Sequence, residues 1–180
     1  MSETKKPNLV AIRGNLHTPD IEIKDGVLIV QDGKIQSVID QGSLAEIPSS
    51  ALVLDHRGKR VIPGLIDTHI HGAGGFEMTG KGVADAANYL PSHGITSFLA
   101  TTHFLISRKN LLQAVVEIAD AIQSKTNGAV ILGIHMEGPW VSPDRSPFSK
   151  PKFCYPITRE DILAFQQASR CNLRMITFAP

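Results

Sequence analysis

Two histidines two positions apart, His69 and His71, close one apolar run of the chain, and His135 and Glu137 repeat that spacing at the end of another. Imidazole and carboxylate are the usual donors to a divalent cation. Side chains on a strand alternate faces, so Asp67, His69 and His71 point one way while Ile66, Thr68 and Ile70 point the other. Pro63-Gly64 opens the first segment. Gly72, Gly74 and Gly75 follow His71, so the backbone beyond the ligands is free to turn sharply. Two core histidines at this spacing would be the competing account, but His is only intermediate in its tendency to be buried, and we read the pair as metal ligands.

Glu137 is the stronger ligand of the second pair, because a carboxylate at the end of a buried strand is costly unless a cation offsets it. His135 could join Glu137 as a direct ligand or could instead be a structural residue behind the ligands. Gly138-Pro139 turns the chain directly after them. Trp140 could line a pocket for a sugar ring or an acyl group, or could equally be packing. His103 lies on the same expected rim, His93 near a helix C-terminus where a partial positive charge suits the dipole, and His17 and His56 on the surface.

The elements that must position these residues fall into two stretches. Short apolar runs at 9–13, 27–31, 34–39 and 51–55 read as strands, with Asp25-Gly26 and Asp32-Gly33 as hairpin signals between them. After Gly58 the period changes. Strands at 61–71, 95–101, 129–137 and 173–179 alternate with helical patterns at 83–92, from Ser107 onward, and at 158–169. In the second helix Leu111, Leu112, Val115, Ile118, Ala119 and Ile122 form one apolar face. Thr158 with Asp161 three residues on resembles a capping box. Four strands in order with helices between them predict a parallel sheet with right-handed crossovers, and both ligand pairs then open on its carboxyl rim.

Composition adds exclusions. The chain of 180 residues is 42% hydrophobic and 19% charged, and 18 Lys plus Arg against 17 Asp plus Glu give a formal charge of +1. Such a balance gives no reason to expect nucleic acid or an anionic membrane as partner. Met1 to Pro7 is polar with no apolar stretch after it, which predicts a cytoplasmic protein. Cys154 and Cys171 are too few and too far apart for a metal cluster or a disulfide framework, and read as thiols in a reducing compartment.

PGLIDTHIHG at 63–72, preceded by a β-rich segment, resembles the metal-dependent amidohydrolase superfamily, and HMEGPW at 135–140 is similar to a motif of its N-acetylglucosamine-6-phosphate deacetylases. Gly94-Ile95-Thr96-Ser97-Phe98-Leu99 and Thr177-Phe178-Ala179-Pro180 extend the likeness over essentially the whole chain. The resemblance implies an α/β fold, a (β/α)8 TIM-type barrel of which only about the first four βα units are present, with a small β-sandwich part built from both chain ends. Residues 1–57 would belong to the sandwich part and 58–180 to the first half of the barrel. It further implies a homodimer, and one or two divalent metal ions, zinc foremost with iron or another ion as alternatives, held by Glu137, His69 and His71. Gly138, Trp140 and His135 would contact an amino sugar phosphate, whose N-acetyl group would be hydrolysed to acetate.

Two departures qualify that expectation. Relatives commonly carry Gly-(Ala/Thr)-His in the loop after the EGP motif, where this chain reads Ser146-Pro147-Phe148-Ser149, which leaves a related acylated sugar phosphate or another N-acyl substrate open. A full barrel takes about 250 residues. The chain therefore reads as the amino-terminal part of an enzyme, with no general base of its own and with the family's catalytic Asp and further ligands expected beyond Pro180. Alone it is expected to be inactive and poorly folded. Two other readings remain, a cyclic amide hydrolase or deaminase of the same superfamily, and a non-catalytic relative acting as an interaction module.

Overall fold

The computed structural model describes residues 8–40, 46–79, 81–103, 106–124, 126–142 and 154–179, and divides into two compact units, Met1–Pro63 and Gly64–Pro180. The loop at 146–149 lies outside the described residues.

The first unit contains β1 (Leu9–His17), β2 (Glu22–Gln31), β3 (Lys34–Ile39) and β4 (Leu52–Val61) in the order β3-β2-β1-β4. β1 and β3 run antiparallel to β2, and β4 runs parallel to β1. Asp32 and Gly33 form the two-residue turn between β2 and β3, both at positive φ (50° and 77°), as a twisted hairpin requires. Asp25-Gly26, the other expected turn, lies instead inside β2. There the Asp25 carboxylate takes a two-pronged bond from Arg13 at 2.8 and 2.6 Å, and Gly26 makes room for its neighbours: an added Cβ would stand 2.8 Å from the Ile23 side chain. The chain reverses at 18–21, where the Ile21 N–H donates to Thr18 Oγ1 at 3.0 Å. Ala11, Val27, Ile29 and Ile39 make a small core. Among the described residues these strands form one sheet, so the expected sandwich is present only as a single layer.

The second unit is built on β5 (Leu65–Ile70), β8 (Ile95–Thr102), β9 (Val130–Val141) and β10 (Leu173–Ala179), all parallel, in the order β10-β9-β8-β5. Between them lie the short hairpin β6 (Gly72–Ala73) and β7 (Phe76–Glu77), then α1 (Gly82–Tyr89), α2 (Arg108–Ser124) and α3 (Arg159–Ala168). This is a half-barrel sheet of four strands in which the first three are each followed by a helix. The first strand is shorter than expected, because Val61 still pairs with Leu16 in the first unit and Pro63, lacking an N–H, lies beyond the end of that strand.

Each helix ends for a stated local reason. After α1 a 3-10 turn, Leu90–His93, accommodates Pro91, and Gly94 closes it at φ 81°. Ser107 caps α2, its Oγ accepting from the Asn110 N–H at 3.3 Å. Thr158 caps α3, accepting from the Asp161 N–H at 3.1 Å, and the Asp161 carboxylate in turn accepts from Arg108 at 2.8 Å, tying the starts of α2 and α3 together. Leu111, Val115 and Ile118 of α2 and Phe165 of α3 join Phe98, Ile134 and Met136 of the sheet in one core. β9 is buried from Gly133 to Met136, but Val130 and Leu132 are exposed, as are Leu65 and Ile66 on β5 and Met175 and Phe178 on β10. Among the described residues β5 and β10 are the outer strands of this sheet.

Two positions on α3 separate core from surface. Phe165 is fully buried and Leu163 is 57% exposed. Phe165→Ala should lower the stability of the second unit by ~3–5 kcal/mol in urea unfolding, and Leu163→Ala should stay within ~0.5 kcal/mol.

Candidate metal centre

Parallel pairing places the carboxyl ends of the strands on one rim, with Thr101 opposite His135 and Glu137 opposite Thr177. His69 Nε2 stands 3.4 Å from Glu137 Oε1, His71 Nε2 stands 2.9 Å from Glu137 Oε2, and the two Nε2 atoms are 3.2 Å apart. Among the described residues these three side chains are the set that could hold a metal ion. Four ligands about 2.0–2.1 Å from a tetrahedral ion lie roughly 3.3 Å from one another. The donors fit.

The hairpin after the first ligand strand fixes His71. Its carbonyl accepts from the Met78 N–H at 2.9 Å, Met78 is fully buried, and the reversal runs through Gly74 and Gly75 at φ 62° and 86°. His71 stacks on His103, with ring centroids 4.5 Å apart and planes 13° from parallel. Asp67, expected on the same strand face as the histidines, turns its carboxylate to the backbone and accepts from the His69 N–H at 3.0 Å.

His135 stands behind His69, their ring centroids 4.7 Å apart. It is 2% exposed, its Nδ1 lies 2.9 Å from the Thr68 carbonyl and its Nε2 lies 2.8 Å from Thr177 Oγ1. Both ring nitrogens are thus engaged by the chain. Gly138 is buried at φ 72°, and Trp140, 4% exposed, packs edge-on against Phe165 with centroids 5.8 Å apart. Trp140 also lines a pocket of about 510 Å³ with Val141, Tyr155, Ile157 and Phe178. His93 is exposed beside Tyr89, His56 is exposed, and His17 is half-buried near Glu22.

Sequence reasoning missed Thr101 and Thr177. Thr101 is fully buried and its Oγ1 accepts from the Ile70 N–H at 2.9 Å, one residue from each of the two histidines. A hydroxyl at the end of an apolar strand beside a ligand segment was the available signal.

Burial pushes the His71 imidazole below its ordinary value of 6.5, helped by neighbouring His103 and opposed by Glu137. Burial likewise lowers His135, against the opposing bond to the Thr68 carbonyl. A histidine depressed in the folded state takes up protons first in the unfolded state, so stability is full above the unfolded value and is lost as pH falls below it. In metal-free protein the thermal midpoint should therefore fall as pH drops below about 6.5, and His135→Asn should flatten that fall.

The family model for the Amidohydrolase family matches residues 60–175. The N-acetylglucosamine-6-phosphate deacetylase of Bacillus subtilis is 34% identical over 164 residues, covering 88% of this chain and 41% of the relative, and that of Homo sapiens is 31% identical over 135 residues, covering 70% and 32%. A mutant N-acetyl-D-glucosamine-6-phosphate deacetylase from Mycobacterium smegmatis, solved in complex with N-acetyl-D-glucosamine-6-phosphate, superposes with a TM-score of 0.81 at 25% identity, covering 96% of this chain and 44% of that one. The chain spans about two fifths of the length of the Bacillus relative. A match across 60–175, embracing β5, β9 and the rim they share, establishes that the chain belongs to the amidohydrolase family.

Proposed function

We propose that this chain supplies the metal-binding amino-terminal part of a hydrolase that removes the N-acetyl group from N-acetylglucosamine 6-phosphate, leaving glucosamine 6-phosphate and acetate. The observation that carries this reading is the convergence of His69, His71 and Glu137 within hydrogen-bond range at one strand rim. The deacetylases among its relatives give the substrate class. Imidazole and carboxylate suit zinc and iron alike, and zinc is the first ion to test.

A bound divalent ion would supply Lewis acidity for attack on an amide carbonyl. The chain's own residues prepare its place. Asp67 and Thr101 hold the backbone N–H groups of His69 and Ile70, which limits how far the two imidazoles can swing. Gly138 leaves the backbone after Glu137 without a side chain, and the Trp140 pocket at the ends of β9 and β10 offers an apolar wall for part of a sugar or its acyl group. The general base and the phosphate contacts belong to the carboxyl half of the barrel in this proposal, and the enzyme acts as a cytoplasmic homodimer. Among the described residues no helix is long and apolar enough to cross a membrane.

The test is metal content and turnover of the full-length gene product. It should retain a divalent ion through gel filtration, release acetate from N-acetylglucosamine 6-phosphate, and lose activity to a chelator. Glu137→Gln should lower metal affinity by more than about 100-fold, beyond what the loss of a supporting bond costs. Turnover that survives both metal removal and Glu137→Gln would overturn the proposal, and so would preference for cyclic amides or nucleobases.

A further inference from the structure

The pairing of β5 with β8 is irregular where the first ligand sits: Asp67 faces Phe98 and Ile70 faces Ala100, with a register shift between them. Thr68 and His69 lie in that gap. Two side chains from neighbouring strands bond to the backbone there. Thr101 Oγ1 of β8 takes the Ile70 N–H at 2.9 Å, and His135 Nδ1 of β9 meets the Thr68 carbonyl at 2.9 Å. A carbonyl only accepts, so Nδ1 carries the proton, and Nε2 accepts from the Thr177 hydroxyl of β10 at 2.8 Å. One buried imidazole thereby joins three strands, β5, β9 and β10. Its ring also meets that of His69 edge-on, with centroids 4.7 Å apart and planes at 78°.

We propose that His135 is a positioning residue of the metal centre, one that bonds the Thr68 carbonyl at the irregularity in the β5 ladder and so fixes the His69 imidazole against Glu137. The proposal rests on the metal reading of His69, His71 and Glu137 given above. Without the Nδ1–H bond the Thr68 carbonyl loses its partner, and the backbone that carries His69 gains freedom at the ligand itself. Such supporting bonds orient a ligand and tune its affinity. His135 need not touch metal or substrate to do so.

The experiment compares three full-length proteins, wild type, His135→Phe and His135→Asn, by competition titration with zinc and by the visible spectrum of the cobalt-substituted form. Phe fills the space without a donor, whereas the Asn amide can place an N–H where Nδ1 stood. His135→Phe should bind zinc roughly 10- to 100-fold more weakly and shift the cobalt bands, while His135→Asn should recover most of both. Should the Phe variant fail to melt cooperatively, His135→Gln decides instead, since its longer amide reaches toward Thr177 rather than Thr68, and it should show the same weakening. Unchanged affinity and spectrum in the Phe or Gln variant, or an Asn variant as weak as they are, overturns the positioning role and leaves the metal site standing. A wild type that binds no divalent ion removes the metal reading and this inference together.

Discussion

A carboxylate on a mostly buried strand is a liability unless something answers its charge, and Glu137 is that liability here, its side chain only 23% exposed. Everything around the rim answers it. His69 and His71 turn their Nε2 atoms to its two oxygens, His103 stacks behind His71, and His135 backs His69. The group is assembled from three strands, and no pair of neighbouring residues could build it alone. What the fold contributes is the parallel register that brings the strand ends to one level.

Helix packing supports that register. The helices press on one core, in which Phe98, Ile134 and Met136 meet Leu111, Val115, Ile118 and Phe165. His69 and His71 sit on chain that is less regular. The β5 ladder is broken between Asp67 and Ile70, and His71 lies just past the strand's end, held through the buried Met78 of the following hairpin. Side chains do at the rim what backbone pairing does lower down. Thr101, Asp67 and His135 each bond a backbone group within one residue of a ligand.

How much of this the sequence disclosed follows the range of the interactions. Spacing of two on an apolar run is a local signal, and it pointed to the two strands whose ends bring His69, His71 and Glu137 together. Capping by Ser107 and Thr158, the apolar face of α2 and the Asp32-Gly33 turn are local too, and all were legible. Asp25-Gly26 misled because a dipeptide suited to turns serves equally where a neighbouring strand crowds the backbone and Arg13 waits for a carboxylate. The same limit hid Thr101 and Thr177. Their partners lie 31 and 42 residues away, and an isolated threonine in a strand reads only as a β-former. Val61 was assigned to the barrel because its apolar character continues into 65–70, when its partner is Leu16 in the other unit.

Burial also sets the chemical state of the imidazoles. It holds His71 and His135 toward the neutral form, the form in which an imidazole can offer a lone pair to a cation. A shell of protonated histidines would instead pair with Glu137 as a set of salt bridges and leave no donor free. The two outcomes use the same residues at nearly the same distances. What separates them is burial, with the charge of neighbouring His103 acting in the same direction on His71. Burial therefore favours the neutral imidazoles that a metal site at this rim would need.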